Sequence, residues 1–371
     1  MRSSMLKIAV MAAIGILAFP GLFFKSSPAV ACTGPHTASI HDGFRYGFPP
    51  HIEKSGLVFA TQNIPIHRQD IRYRILKELN YLLQDRRSKV IQWLTKADSL
   101  RPVLAPILRK YNVPAEFIYL AAIESSYNGR ALSSAGAYGY WQFIKSTAVC
   151  GPSGCNEYDW KMNITNWKDD RGDLVLSTHS AAKYLAWMNR VKKVCLEEKA
   201  EKDGFQDWLL TAAAYNAGPG RVTQRMSSFR AQSYWDAPLP IETERYVPRW
   251  IAVGLIHKYR DFYGVQIPPA RGIEFDTVEK VRLEKDLSFV AMAKLLNSTP
   301  REVWNLNTQV SAEKAAFPAR SGRIPVTHTI HVPKGTRQKF LAQLAAHGYT
   351  KNLKAPAAGP KAAKVAESRS R

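Results

Sequence analysis

The sequence predicts a mainly α-helical protein with a small α/β unit towards its C-terminal end. Apolar residues recur at helical offsets, as in Ile75, Leu79, Leu82 and Leu83, which places helices at about 68–85, 87–97 and 100–111. Two further amphipathic stretches end in glycine-bearing segments, one after Glu124 and one at Gly218-Pro219. Beyond Pro268-Pro-Ala-Arg-Gly272 the pattern changes to strand, helix, helix, strand.

At the N-terminus, Arg2 and Lys7 precede an apolar run from Ile8 to Phe24, followed by Ala29-Val-Ala31 and Cys32. Residues 1–31 therefore read as an export signal or anchor, which places the protein in the periplasm or cell envelope. Cleavage after Ala31 would leave Cys32 first, where a lipid could be attached. Plain secretion and an uncleaved anchor stay open, because Lys25 and Pro28 separate the apolar run from the cleavage position. Residues 32–58 carry Gly, Pro and His without periodicity and read as a tether.

The chain of 371 residues, with a formal charge of +22, has room for two domains and a tail. That charge points to a polyanionic partner. No zinc-finger spacing and no basic-aromatic signature of an RNA-recognition sheet is present, so nucleic acid is not expected. Wall peptides, anionic glycopolymers and anionic lipid all fit a basic envelope protein. Cys150 and Cys155 bracket Gly-Pro-Ser-Gly and form the preferred disulfide, leaving Cys195 free or paired with Cys32. Neighbouring histidine ligands are missing, His179 reads as a helix-surface residue, and neither metal nor cofactor is expected.

Glu124 is the most informative residue. With Pro114 at the first helical position, Phe117, Leu120, Ala121 and Glu124 share one face. Glu124 thus continues a buried stripe, and it stands near the helix C-terminus, where the backbone dipole disfavours an anion. Both effects raise its pKa. A carboxylic acid that keeps its proton near neutral pH is what cleavage of an acetal between sugars requires. A solvated helix-end glutamate is the alternative. Glu116, in the first turn, reads as a capping acid.

The loop that follows is punctuated by Gly129, Gly136 and Gly139. Ser133, Tyr138, Tyr140, Trp141 and Gln142 supply hydroxyls, an amide and flat apolar faces, a mixture that suits a glycan cleft. Core packing is the alternative for Trp141 and Phe143. Further on, Leu209, Ala212, Ala213 and Asn216 share a helix face, where a buried Asn needs partners. Asp169, Asp170 and Asp173 precede a helix starting near Leu174 and read as its caps, with the second acid of a two-carboxylate hydrolase as the alternative.

Glu-Ser-x-Tyr-Asn from Glu124, Ser-x-x-Gly-Ala-x-Gly-x-Trp-Gln-Phe from Ser133, and Ala-Tyr-Asn-Ala-Gly-x-x-Arg-Val from Ala214 follow in order. Together they resemble the lytic transglycosylase domain of goose-lysozyme type, in particular its membrane-bound D group. Tyr234-Trp-Asp-Ala-Pro-Leu-Pro-Ile-Glu-Thr-Glu-Arg-Tyr-Val-Pro248 supports the match, which covers about 60–340. The resemblance implies a lysozyme-like catalytic domain at about 59–267, acting on the glycan strands of peptidoglycan. It implies Glu124 as sole catalytic acid/base, with Ser125 fixing the local loop and Ser133 bonding the substrate's N-acetyl group. It further implies that Gln142, Tyr215, Asn216 and Tyr246 orient the acid or the sugar. Tyr138-Gly-Tyr140 and the cysteine-bearing insertion after Ala148 depart from the family pattern, which affects the shape of the glycan subsites. The implied reaction leaves 1,6-anhydro ends, with an ordinary hydrolytic muramidase and a non-catalytic glycan-binding scaffold as rivals.

The C-terminal unit, at 273–340, begins with a strand at Thr277–Leu283. It continues through Asp286–Leu296 and Thr299–Asn307 to a closing strand near Thr329–Val332. That order is similar to a divergent LysM-type glycan-binding module, with Lys285-Asp-Leu where Gly-Asp-Thr is usual. A small structural domain is the alternative. Residues 350–371 form a basic tail expected to be disordered.

Overall fold

A computed structural model describes residues 43–150, 160–192, 202–203, 205–270 and 272–351. The segment 1–31 read as an export signal or anchor, Cys32, Cys155, Cys195 and residues 352–371 of the expected basic tail lie outside these residues, as does any pairing made by Cys150. The chain forms two compact units: the first runs to Ile273, and the second comprises Glu274 onward together with Asn166–Lys168.

The first unit is helical. Helix α1 (Pro50–Ser55) leads into a hairpin of β1 (Leu57–Phe59) and β2 (Gln62–Ile64), with Leu57 opposite Ile64. Then come α2 (Gln69–Gln84), α3 (Arg87–Lys110), and a 3-10 turn (Ala115–Phe117) that runs into α4 (Ile118–Ser125). After the glycine-rich loop follow α5 (Lys145–Cys150), a 3-10 turn (Asp170–Gly172) and α6 (Leu174–Arg190). A two-residue pairing of β3 (Val191–Lys192) with β4 (Lys202–Asp203) precedes α7 (Trp208–Ala217), α8 (Pro219–Ser228), a 3-10 turn (Tyr234–Asp236) and α9 (Ile241–Lys258).

Helix α9 is the spine of this unit. It packs against α2, α4 and α7, and Thr243, Tyr246, Val247, Trp250 and Ile251 all lie buried on it. Trp250 has no exposed surface; it stacks against Phe117 and Phe59 at 4.5 and 4.8 Å and donates to the Glu116 carbonyl at 2.8 Å. Burying the polar N–H of an indole is tolerable only with such a partner. Helix α4 is sunk into this core, with Ile118 to Ala122 all buried.

Three elements differ from the sequence expectation. The segments expected at 87–97 and 100–111 are one helix, α3, that continues through Pro102 and Pro106. Its apolar stripe (Leu94, Ala97, Leu100, Leu104, Leu108) is unbroken and fully buried, so packing overrides the prolines' local preference. The Ser99 carbonyl, in the turn before Pro102, accepts from Ile273 N at 3.2 Å. Pro114 precedes the 3-10 turn instead of opening the helix, because its extended backbone, with ψ at 141°, belongs to a cap. The last helix of this unit, which the sequence places at Pro248–Tyr263, is α9, which starts at Ile241 and has Pro248 inside it.

The second unit has β5 (Phe275–Arg282) paired antiparallel with β10 (Thr327–Pro333), and Val278 opposite Ile330. Between them lie β6 (Leu287–Ser288), α10 (Phe289–Leu296), α11 (Pro300–Leu306) and β7 (Ala316–Phe317), followed by a hairpin of β8 (Arg320–Ser321) and β9 (Ile324–Pro325). Helix α12 (Arg337–Ala346) closes the unit. Ser288 caps α10 and Thr299 caps α11, each accepting a backbone N–H. Asp286 does not start the helix; its carboxylate accepts from Ala319 N at 2.7 Å. The hairpin and α12 went unread in the sequence. Val281, Leu287, Met292, Val303, Ile330 and Phe340 form the core.

Candidate active site

Glu124 is the penultimate residue of α4, and the chain leaves the helix through two consecutive left-handed residues, Ser126 (φ 55°) and Tyr127 (φ 54°). Such conformations are unfavourable without glycine and persist when surroundings fix them. Here Trp93 Nε1 donates to Ser126 Oγ at 2.9 Å, Lys96 Nζ donates to the Ser126 carbonyl at 2.8 Å, and the Tyr127 hydroxyl donates to the Ile118 carbonyl at 3.0 Å. The end of the helix that carries the acid is therefore rigidly defined.

The Glu124 residue is half-buried, yet dense protein around its carboxyl removes most of the water that would stabilise a charge. That burial is the main reason its pKa is pushed up, from 4.5 to about 7. Two neighbours modulate it. The Tyr246 hydroxyl, on α9, donates to Glu124 Oε1 at 2.5 Å and favours the ionised form, while the charge of Glu242, in the first turn of α9, disfavours it. Oε2 has no protein partner among the described residues. One oxygen is thus held by a phenol, and the other is available to carry a proton to a ligand.

The loop after α4 is built against this carboxyl. Ser125 Oγ lies 2.7 Å from the Tyr140 carbonyl and 3.1 Å from that of Ala121, and it accepts from Asn128 N at 3.2 Å. Ser125 therefore ties the helix end to the loop. Ser133 turns its hydroxyl inward to accept from Ala137 N at 3.0 Å. Gln142, at φ 51°, donates from Nε2 to the carbonyls of Ala131 and Gly139, at 3.0 and 2.9 Å. Tyr140 and Trp141 are buried, at 9 and 0% exposure, and Tyr138 is half-buried with the Arg171 guanidinium over its ring at 5.3 Å. Core packing is the role of the Trp141 ring, whose Nε1 donates to Thr178 Oγ1 at 2.9 Å.

From the far side, α7 and α9 complete the arrangement. The Tyr215 hydroxyl donates to the Trp141 carbonyl at 2.6 Å, so Tyr215 holds the loop. Burial pushes the pKa of Tyr215 up, and the charge of Glu124 pushes it further. Asn216 Oδ1 accepts from Thr243 Oγ1 at 2.7 Å, which leaves the Asn216 amide N–H groups without a protein partner among the described residues. Asp207 starts α7 by accepting from Leu209 N and Leu210 N at 2.7 and 2.9 Å.

Several participants had no clear sequence signal. Arg171, only 7% exposed, pairs with Asp169 at 2.6 Å and donates from Nη1 to the carbonyls of Gly136 and Phe143, at 3.0 and 2.9 Å. It stitches the two ends of the loop together. Asp169, Asp170 and Asp173 are engaged with backbone and Arg171: Asp173 Oδ1 accepts from Val175 N and Leu176 N, and Asp170 Oδ2 accepts from Asn163 N. Glu242 and Thr243 sit within the segment quoted from Tyr234 to Pro248, and the signal for them was their place one turn before Tyr246. Among the described residues no group of three or more His, Cys, Asp or Glu is arranged to hold a metal ion, and no helix is long and apolar enough to cross a membrane.

The protonatable carboxyl of Glu124, hydrogen-bonded by a buried tyrosine and followed by a stapled glycine-rich loop, sits within a stretch that is similar to a known domain class. Residues 103–237 match the family model described as the transglycosylase SLT domain. Over 246 residues it is 34% identical to the membrane-bound lytic murein transglycosylase D of Escherichia coli K12, covering 65% of this chain and 48% of that protein. The chain thus spans about half the length of the curated relative it matches. Among solved structures it is similar to the lytic transglycosylase Slt of Pseudomonas aeruginosa, at 22% identity and a TM-score of 0.33, over 44% of this chain and 24% of that one. It is also similar to the 70 kDa soluble lytic transglycosylase of Escherichia coli, at 19% identity and a TM-score of 0.31, over 51 and 31%.

Proposed function

We propose that this protein is a lytic murein transglycosylase that cleaves the β-1,4 bond between N-acetylmuramic acid and N-acetylglucosamine, with Glu124 as its one acid/base. The observation that carries the reading is the Glu124 carboxyl, held near half-protonation at neutral pH with one oxygen on Tyr246 and the other open. Glu124 gives its proton to the bridging oxygen as the bond to the anomeric carbon breaks. The substrate's acetamido oxygen stabilises the cationic carbon. The resulting carboxylate then takes the proton of the muramic C6 hydroxyl, which closes on the anomeric carbon. No water is consumed, the acid is regenerated, and the product carries a 1,6-anhydro ring. Tyr246 steadies the carboxylate between the two steps, and the Asn216 amide is placed to donate to the sugar.

A second reading has one observation in its favour. Glu242 is exposed and close enough to influence Glu124 electrostatically, so it could serve as the second carboxylate of a hydrolytic muramidase. Mass spectrometry of digested sacculi separates the two. We expect anhydro ends lighter than reducing ends by one water; reducing ends would support the hydrolase, and glycan binding without release would support a scaffold. The strand–helix–helix–strand order of the second unit supports its reading as a LysM-like glycan-binding module. The export signal and the resemblance to a membrane-bound relative support an envelope location, with Cys32 or the N-terminal apolar run as the anchor.

A further inference from the structure

Glu78, in the middle of α2, is only 2% exposed and serves no step of the reaction proposed above. Its two oxygens are divided between two arginines of α9. Arg245 Nε donates to Oε1 at 2.6 Å, and Arg249 Nε donates to Oε2 at 2.8 Å, with a second Arg249 nitrogen also at 2.8 Å. Tyr81, one turn along α2, lies beneath both guanidinium groups at 5.7 and 5.6 Å. Arg74, one turn back, donates to the Glu244 carbonyl at 3.1 Å and to the Tyr234 hydroxyl at 3.0 Å, while that hydroxyl donates to the Thr243 or Glu244 carbonyl. One face of α2 therefore grips residues 243 to 249 of α9.

Tyr246 lies inside that grip. It follows Arg245 directly, and Arg249 is nearly one turn further on, so the two arginines form a stripe beside it. Rotation of α9 about its axis would carry the Tyr246 hydroxyl sideways, off the Glu124 carboxyl. A buried carboxylate is a poor way to gain stability alone, since a well-packed apolar residue often does as well. What a charge divided between two fixed forks supplies is a defined rotation and register.

We propose that Glu78 is a positioning residue for the acid, holding α9 through Arg245 and Arg249 so that the Tyr246 hydroxyl stays on Glu124. This rests on the transglycosylase reading. The groups that face the Glu124 carboxyl are Tyr246 and Glu242 from α9 and Tyr215 from α7. Of these, Tyr246 is the one whose hydrogen bond favours the carboxylate. Loosening it makes Glu124 hold its proton more tightly and misplaces the group during the second proton transfer.

The test is Glu78→Gln, assayed for release of soluble sugar from purified sacculi across pH. We expect kcat to fall by about tenfold or more, KM to hold within about twofold, and the alkaline limb of the profile to move to higher pH. The Tyr246→Phe variant should move that limb in the same direction, and the double variant should be no worse than Tyr246→Phe alone. Arg72→Ala breaks the pair with Glu53 elsewhere on α2, at 2.7 Å, and should lower stability without moving the limb. If Glu78→Gln does not fold, Arg249→Lys keeps the charge but loses the fork, and the same shift is expected. An unmoved limb, or additive losses in the double variant, overturns the proposal. Should wild type release no sugar, the catalytic reading falls, and carbon NMR titration of the Glu124 carboxyl still decides the positioning role: an unchanged midpoint in Glu78→Gln rejects it.

Discussion

Glu124→Gln is expected to abolish sugar release from sacculi, by about 10⁴-fold, while glycan binding is retained. That figure is the upper end of what general acid–base catalysis supplies, and it applies because the same group serves both halves of the reaction. The amide has nearly the same shape and can still accept from Tyr246. The variant should also be more stable above neutral pH. Glu124 binds its proton more tightly folded, near pH 7, than its ordinary value of 4.5. Folding is therefore relatively favoured below pH 4.5, and that advantage is lost as pH rises through 7. Above pH 7 the buried charge costs on the order of 3 kcal/mol, which glutamine avoids. Thermal melts at pH 5 and pH 8 check this: the gain should be present at pH 8 and small at pH 5. Release at wild-type rates would remove Glu124 from the mechanism.

The second large effect is expected at Gly139. Its φ is +83°, and a Cβ there would stand 1.8 Å from the Arg171 carbonyl oxygen and 2.4 Å from its carbon. Gly136, three residues earlier in the same loop, has a φ of +78° but nothing within 4 Å of an added Cβ. The two glycines share the backbone requirement and differ in the space beside them. Gly136→Ala should lose about 1 kcal/mol, the left-handed penalty alone. Gly139→Ala adds a clash with backbone that cannot yield, for a total loss of about 3–5 kcal/mol. It should also displace the loop from Arg171, so activity falls further than the folded fraction does. Equal melting temperatures for the two variants would show that the loop does not lean on Arg171 in solution.

Local chemistry was legible in the sequence, and long-range pairing was not. The face shared by Phe117, Leu120, Ala121 and Glu124 placed the acid on a buried stripe, and the helix it belongs to does end at Ser125. Asp173 and Asp207 cap helices because short acids before apolar runs do so through bonds within a few residues. Arg171, by contrast, reaches carbonyls 28 and 35 positions away, and Glu78 meets arginines 167 and 171 positions on. Nothing in the residues near either one announces its partner. Burial decided the remaining cases. Tyr140 and Trp141 looked like sugar-stacking faces, but aromatic side chains serve cores equally well, and here the second is sealed in by Thr178. The sequence suggests a break between 97 and 100, yet the apolar stripe on either side was strong enough to carry α3 through it and through Pro102.

The most direct measurement is a carbon NMR titration of the Glu124 side-chain carboxyl, assigned by comparison with Glu124→Gln. A midpoint near pH 7 is the expected result, far above that of an exposed glutamate. A midpoint near 4.5 would mean the carboxyl is already ionised at neutral pH, and a single acid at this position could not protonate a glycosidic oxygen.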